Sequence, residues 1–272
     1  MATDPDCWLR FAGDNGPVEA YLVGDQVQPV AGSMFGVWQD DGPPMPLASV
    51  RLLAPVIPRT FYACGINYAG HCRTAADEFG LDYDKSWPTS PEIGYRAQSA
   101  IIAHGEPIVL PADVPPNVQV ESELAVVIGQ RCKHATLENA LDCVFGYSVA
   151  NDVSARGWQF SDRTFWRSKN ADTFKPLGPW IRRSVDLDAL RTNVFVNGEL
   201  RESFATNRMI FSIAEWIVAM TRYLTLVPGD VILMGTDGFA PQMHAGDTVR
   251  IEIEGVGILQ NPVVAERYGA PQ

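Results

Sequence analysis

Residues Val120 to Ile128 form one apolar, β-rich run that is interrupted only by Glu121, Ser122 and Glu123. Side chains alternate along a strand, so the two glutamates leave the same face roughly 7 Å apart. Leu124 to Ile128 is continuously apolar, which sets this strand at the margin of a core. Two like charges placed there repel each other and lose solvation, a cost that a cation between them removes. Oxygen-only ligands select Mg²⁺, Mn²⁺ or Ca²⁺ over zinc. A third carboxylate, Asp152, follows the apolar run Val144 to Ala150, where it is well placed to complete an ion site. Taken singly, the glutamate pair also reads as a polar strand end in solvent. Asp152 taken singly also reads as a helix N-cap, with Ser154 and Ala155 opening the first turn.

Strands dominate the rest of the chain. Trp8 to Phe11 and Val18 to Val23 flank Gly13-Asp14-Asn15-Gly16, and Gln26 to Val30 follows Gly24-Asp25. Five prolines between Asp40 and Pro58 mark a connection, so a small β-rich N-terminal domain is expected over 1–56 and the main domain over 57–272. Val194 to Val196 runs into Asn197-Gly198, a strong hairpin signal. Val249, Ile251 and Ile253 alternate with Arg250, Glu252 and Glu254, as in a half-buried strand. Helices are predicted over Met209 to Leu226, closed by Pro228-Gly229, and over Leu137 to Val144, capped by Thr136. Without βαβ alternation, a Rossmann or TIM-barrel domain is excluded in favour of an α+β, predominantly β fold.

The formal net charge of −11 argues against nucleic acid as a partner, and an anionic substrate would need a locally positive site. Five irregularly spaced cysteines indicate neither a disulfide framework nor a zinc site and fit a reduced, cytoplasmic compartment. No signal peptide and no membrane span are read from the sequence.

Ordered blocks along the chain resemble the fumarylacetoacetate hydrolase family over nearly its whole length. They are Gly65-Ile66-Asn67-Tyr68-Ala69-Gly70-His71, Glu121 to Gly129, Gly146-Tyr147 with Asn151 to Arg156, and Lys169 to Phe174 with Leu177 to Trp180. Val196 to Glu199, Pro228 to Ile232 and Gly235-Thr236 complete the series. The resemblance implies a β-sandwich-like roll with a small N-terminal β domain, a homodimer, and Mg²⁺ or Mn²⁺ on Glu121, Glu123 and Asp152. It implies a small oxo-acid substrate whose enolate the ion stabilises. Lys169 matches the family's catalytic lysine, and His71 matches the histidine that activates water in hydrolytic members.

Several positions depart from the family pattern. Hydrolytic relatives carry a glutamate three residues after the histidine, where this chain has Thr74. The next glutamate, Glu78, is two helical turns from His71, about 10.5 Å along the axis, and serves as its partner only if the helix breaks or a loop folds back. The segment from Ala69 to Pro91 is long and carries Tyr83, Asp84, Lys85 and Trp87, which reads as a lid or a plain surface loop. Gly157 replaces a usual aspartate, and Arg96 stands where a lysine is common. Gln159, Arg96 and Thr236 are candidates for gripping a substrate carboxylate or carbonyl.

Hydrolysis of a C–C bond in an acylpyruvate-like or other β-diketone acid is the leading expectation. Decarboxylation of a β-oxo acid or isomerisation of an unsaturated oxo-acid keeps the metal and Lys169 and drops the water. A metal-stabilised binding protein without turnover is a third reading, which the presence of His71 and Lys169 beside the carboxylates disfavours.

Overall fold

The computed structural model describes residues 4–80, 82–159 and 161–267, and the side chains of Glu78 and Phe79 fall outside the described set. Among the described residues, the chain forms one thirteen-stranded sheet and one five-stranded sheet, with a two-stranded ribbon beside them. The strand Ser122–Ile128 lies inside the larger sheet, antiparallel to Val144–Asn151 on one side and to Val231–Leu233 on the other. Both of its faces are covered, which explains its unbroken apolar run. Leu124, Val126 and Ile128 pack into a core shared with Val249, Ile251 and Ile253 of the smaller sheet and with the helix Ile213–Thr221. Ala125 and Val127 pack on the opposite face with Trp8, Phe61, Leu177 and Ile181.

The strands Cys7–Gly13, Gly16–Val23 and Gln26–Gly32 form where the N-terminal alternation predicts them. They extend the main sheet, because Cys7 and Trp8 pair with Arg182 and Ile181. The strand Thr248–Ile253 buries Val249, Ile251 and Ile253 in alternation. Asn197 and Gly198, both at positive φ, turn the hairpin between Arg191–Val196 and Glu199–Ala205.

Both predicted helices are shorter than their apolar patterns. The helix expected over Met209 to Leu226 spans Ile213–Thr221, because Ser212 and Glu215 close a capping box that starts it there. The residues before it are claimed by Asn67, whose carbonyl and side-chain oxygens accept from the Ile210 and Phe211 amides. Leu226, at the other end, exchanges backbone hydrogen bonds with Cys132. Leu137 to Val144 contributes only a 3₁₀ turn, Ala140–Cys143, because Val144 is drawn into the sheet opposite Ile128. Thr136 does not cap it; its amide donates to the Asn139 side chain. The Ala69 to Pro91 segment is not irregular either, since it holds the helices Ala69–Phe79 and Tyr83–Ser86.

Close strand packing behind the site depends on Gly146. A Cβ there would stand 2.6 Å from the Arg182 carbonyl oxygen and 2.7 Å from Ile181 Cγ2. Gly146→Ala is therefore expected to destabilise the fold by about 1–3 kcal/mol, since the nearest obstacle is backbone and cannot rotate away. Urea unfolding checks this; an unchanged midpoint would mean that the strands separate there without cost.

Candidate metal centre and active site

The antiparallel register brings the three carboxylates together. Ser122 pairs with Asn151, the Asp152 amide donates to the Glu121 carbonyl at 2.8 Å, and the Glu121 amide donates to the Asn151 side chain at 3.1 Å. Glu121 and Asp152 thus face each other at matched strand ends, and Glu123 follows two residues into the strand. Asp152 does not act as a helix cap, because the short strand Ser154–Ala155 follows it. Oxygen atoms of Glu121, Glu123 and Asp152 lie within 4.8 Å of one another, and all three residues are at most 3% exposed.

Four buried cations face this set. Arg96 grips Asp152 with Nε and Nη2, each at 2.7 Å. Lys169 Nζ donates to Asp152 Oδ2 at 2.9 Å and also pairs with Glu121. Lys175 Nζ lies 2.8 Å from Asp152 Oδ1 and donates to the Val153 and Phe174 carbonyls. Arg156 pairs with Glu121, and its Nη1 donates to Gln159 Oε1 at 2.7 Å. Asp152 accordingly receives two donors on each oxygen, the full acceptor capacity of a carboxylate.

The pKa shifts follow this uneven pairing. Burial pushes Glu121 up, but Arg156 and then Lys169 outweigh it and hold the carboxyl down to about 2. Asp152, also raised by burial, is held well below its usual value by Arg96, Lys169 and Lys175. Glu123 differs: burial, Asp152 and Glu121 push it up to about 8. It receives the Gly235 amide, but among the described residues it forms no ion pair. A buried carboxylate lacking a counter-charge, beside two others in an all-oxygen set, fits a hard divalent cation.

His71 lies in the first turn of Ala69–Phe79, with its amide donating to Asp237 Oδ1 at 3.2 Å. Its Nε2 is 3.7 Å from Glu121 Oε1. Burial lowers the His71 pKa against the pull of Glu121, with Arg156 and Lys169 acting in the same direction as burial. Nδ1 is buried without a well-formed hydrogen bond, although the Gly238 carbonyl acts in favour of the protonated ring. The helix runs unbroken from Ala69 to Phe79, so Glu78 stays two turns away, about 10.5 Å along the axis. Glu78's side chain lies outside the described residues. The Thr74 hydroxyl donates to the Gly70 carbonyl of its own helix.

The structure brings Glu121, Glu123, Asp152, Lys169, His71 and Arg96 into one cluster. Arg96, considered from sequence as a substrate grip, is bound to Asp152. Gln159 holds Arg156, and Thr236 Oγ1 lies 3.5 Å from Ser122 Oγ. Gly157 has a steric reason: a Cβ would stand 2.4 Å from Pro115 Cβ. Sequence reasoning assigned no role to Arg156 or Lys175. The signal for Lys175 was a charge between Phe174 and Pro176 at the head of a strand that then runs apolar to Ile181, the counterpart of the glutamates in Val120 to Ile128.

A β-rich fold closing on a buried triad of carboxylates fits a divalent-metal site. Residues 60–264 match the fumarylacetoacetate (FAA) hydrolase C-terminal family, and residues 8–55 match the Rv2993c-like, N-terminal family. The chain belongs to the fumarylacetoacetate hydrolase family. It is 39% identical over 235 residues to the mitochondrial oxaloacetate tautomerase FAHD2B of Bos taurus, covering 82% of this chain and 72% of that protein. The structure of 5-carboxymethyl-2-hydroxymuconate delta-isomerase from Mycobacterium smegmatis is similar with a TM-score of 0.85 and 38% identity, over 96% of this chain and 100% of that one. Maleylpyruvate hydrolase from Sphingobium sp. SYK-6, in complex with manganese(II) ion and pyruvate, gives a TM-score of 0.76 and 28% identity, covering 96% and 100% of the two chains. These relatives are a tautomerase, an isomerase and a hydrolase.

Lys175→Met is expected to cost about 3 kcal/mol or more, because it leaves a buried carboxylate oxygen and two carbonyls short of a donor. Thermal unfolding with the divalent ion removed by chelation tests this. A variant as stable as the wild type would show that Arg96 and Lys169 alone satisfy Asp152.

Proposed function

We propose that this chain is a divalent-metal-dependent enzyme that moves a proton at the carbon beside the carbonyl of a small, multiply charged 2-oxo acid, interconverting its keto and enol forms. Mg²⁺ or Mn²⁺ held by Glu121, Glu123 and Asp152 would supply positive charge to stabilise negative charge developing on a substrate oxygen. Lys169, buried beside the same carboxylates, offers a fixed ammonium for that oxygen. His71 is the group able to accept the proton from carbon, and the substrate oxygen gains a proton when the enol forms. Arg156 and Gln159 hold Glu121, and Arg96 and Lys175 hold Asp152, so the acidic residues keep their places as charge shifts in the substrate.

The observation that carries this reading over hydrolysis is the surrounding of His71. A base that activates water gains from a carboxylate behind it, which orients the ring and stabilises the imidazolium. Here the helix holds Glu78 two turns away, Thr74 is engaged with Gly70, and among the described residues the carboxylate paired with the ring is Glu121, while Asp237 accepts the His71 backbone amide. Proton transfer at carbon asks only for a base within reach of that carbon. The identities to an oxaloacetate tautomerase and to an isomerase support the same choice. Three carboxylates facing Arg96, Arg156, Lys169 and Lys175 leave at least one surplus positive charge before any ion is bound, even with all three counted as ionised, which suits a polyanionic substrate. Hydrolytic C–C cleavage is the second reading, favoured by the likeness to maleylpyruvate hydrolase.

Glu123→Gln is expected to lower Mg²⁺ or Mn²⁺ affinity at least about tenfold, or 1.4 kcal/mol, since it removes the carboxylate of the three that forms no ion pair among the described residues. Titration calorimetry measures this directly; unchanged affinity would remove Glu123 from the ligand set. His71→Ala is expected to slow oxaloacetate tautomerisation by about a hundredfold or more. The assay follows the enol absorbance for oxaloacetate and pyruvate release from acetylpyruvate, with wild type and variant side by side. Wild-type cleavage of acetylpyruvate that outpaces tautomerisation and is abolished in His71→Ala would replace the proposal with hydrolysis.

A further inference from the structure

The loop that delivers Lys169 is organised around a carboxylate outside the ligand set. Asp162 is 2% exposed. It accepts hydrogen bonds from the amides of Arg167 and Ser168 at 3.0 and 2.9 Å, and from Arg167 Nε and Nη2 at 3.1 and 2.9 Å. Four donors from two consecutive residues thus converge on one side chain and close a ring from Asp162 to Ser168. Within the ring the Phe165 amide donates to the Asp162 carbonyl, and Phe165 is held at φ +55°, a conformation that a residue with a bulky side chain adopts only under constraint.

That conformation has a use. The Phe165 carbonyl receives the Lys169 amide at 3.0 Å and Asn170 Nδ2 at 2.9 Å. Asn170 Oδ1 in turn accepts from the amide of Ala97, the neighbour of Arg96, at 2.7 Å. The Ser168 carbonyl accepts from Ala155, three residues beyond Asp152. Asp162 therefore shapes a loop whose hydrogen bonds run to Lys169 and to Ala97 beside Arg96, and so reach two of the three cationic partners of Asp152. On the outer side Arg167 is sandwiched near the rings of Trp158 and Trp166, 5.1 and 5.3 Å from their centroids, which fixes the other half of the Asp162 pair.

We infer that Asp162 is a positioning residue that sets the Lys169 ammonium against Glu121 and Asp152 through the loop from Ser161 to Asn170. The inference rests on the proposed role of Lys169, and its test includes a readout that needs no substrate. Asp162→Asn keeps the shape but removes the charge and half of the acceptor capacity. Arg167→Met removes the partner and is the second variant should Asp162→Asn fail to fold.

Reductive methylation with formaldehyde and borohydride, quantified by peptide mass spectrometry, reports how accessible each lysine is. Lys169 is buried and paired in the wild type, whereas Lys85 is 84% exposed and serves as the internal standard. Labelling of Lys169 relative to Lys85 is expected to rise about tenfold in either variant. For oxaloacetate, kcat is expected to fall by about a hundredfold while KM changes less than threefold, because a misplaced group acts chiefly at the barrier. The double variant should lose no more than the worse single one. Folded variants with wild-type labelling, or with raised labelling but an undiminished kcat, overturn the inference. Should wild type turn over neither oxaloacetate nor acetylpyruvate, the functional reading fails, and the labelling ratio alone decides the role of Asp162.

Discussion

Everything at this site hangs on three carboxylates that cannot be buried without opposite charge. Their convergence comes from the pairing of Ser122 with Asn151, which places Glu121 and Asp152 at facing strand ends. Burial then raises the energetic stake of each partner, because an ion removed from water is tolerated only when paired and hydrogen-bonded. Arg96, Arg156, Lys169 and Lys175 meet that requirement for Glu121 and Asp152. Glu123 alone retains an elevated pKa of about 8. The protein thus builds most of the counter-charge into its own side chains and leaves one position where a mobile cation is favoured.

Such a site sets a cluster of buried cations inside an acidic chain. The net charge of −11 is a property of the whole molecule, whereas the buried cluster sets four cations against three carboxylates. The relatives this chain resembles include a tautomerase, an isomerase and a hydrolase. Charge stabilisation on oxygen is common to tautomerisation, isomerisation and C–C cleavage. What separates them chemically is the treatment of the proton and the water.

Much of this was legible in the sequence, for reasons that lie in local pattern. Glu121 and Glu123 stood out because charge in an apolar strand is costly, and the alternation of Val249 to Ile253 forecast a half-buried strand. Asn197-Gly198 forecast its hairpin because both positions require positive φ. Helix ends were misjudged where tertiary contacts override apolar periodicity. Asn67 takes the amides before Ser212, and the sheet takes Val144. Arg96 and Lys175 were opaque for a related reason, since a lone cation reveals its partner only when strands distant in sequence are brought side by side. Asp162 was invisible because its four donors lie in an irregular loop, where no period marks the residue that organises it.

The joining of the N-terminal strands to the main sheet has a further consequence. Cys7 and Trp8 cover the backbone of Ile181 and Arg182 on the strand whose other end carries Lys175. Stripped of residues 4–56, that strand would present open amides and carbonyls flanked by Leu177 and Ile181, a surface that invites pairing with another chain. The N-terminal segment therefore does more than extend the sheet: it keeps the backbone of Ile181 and Arg182 paired on the strand that carries Lys175 at its other end.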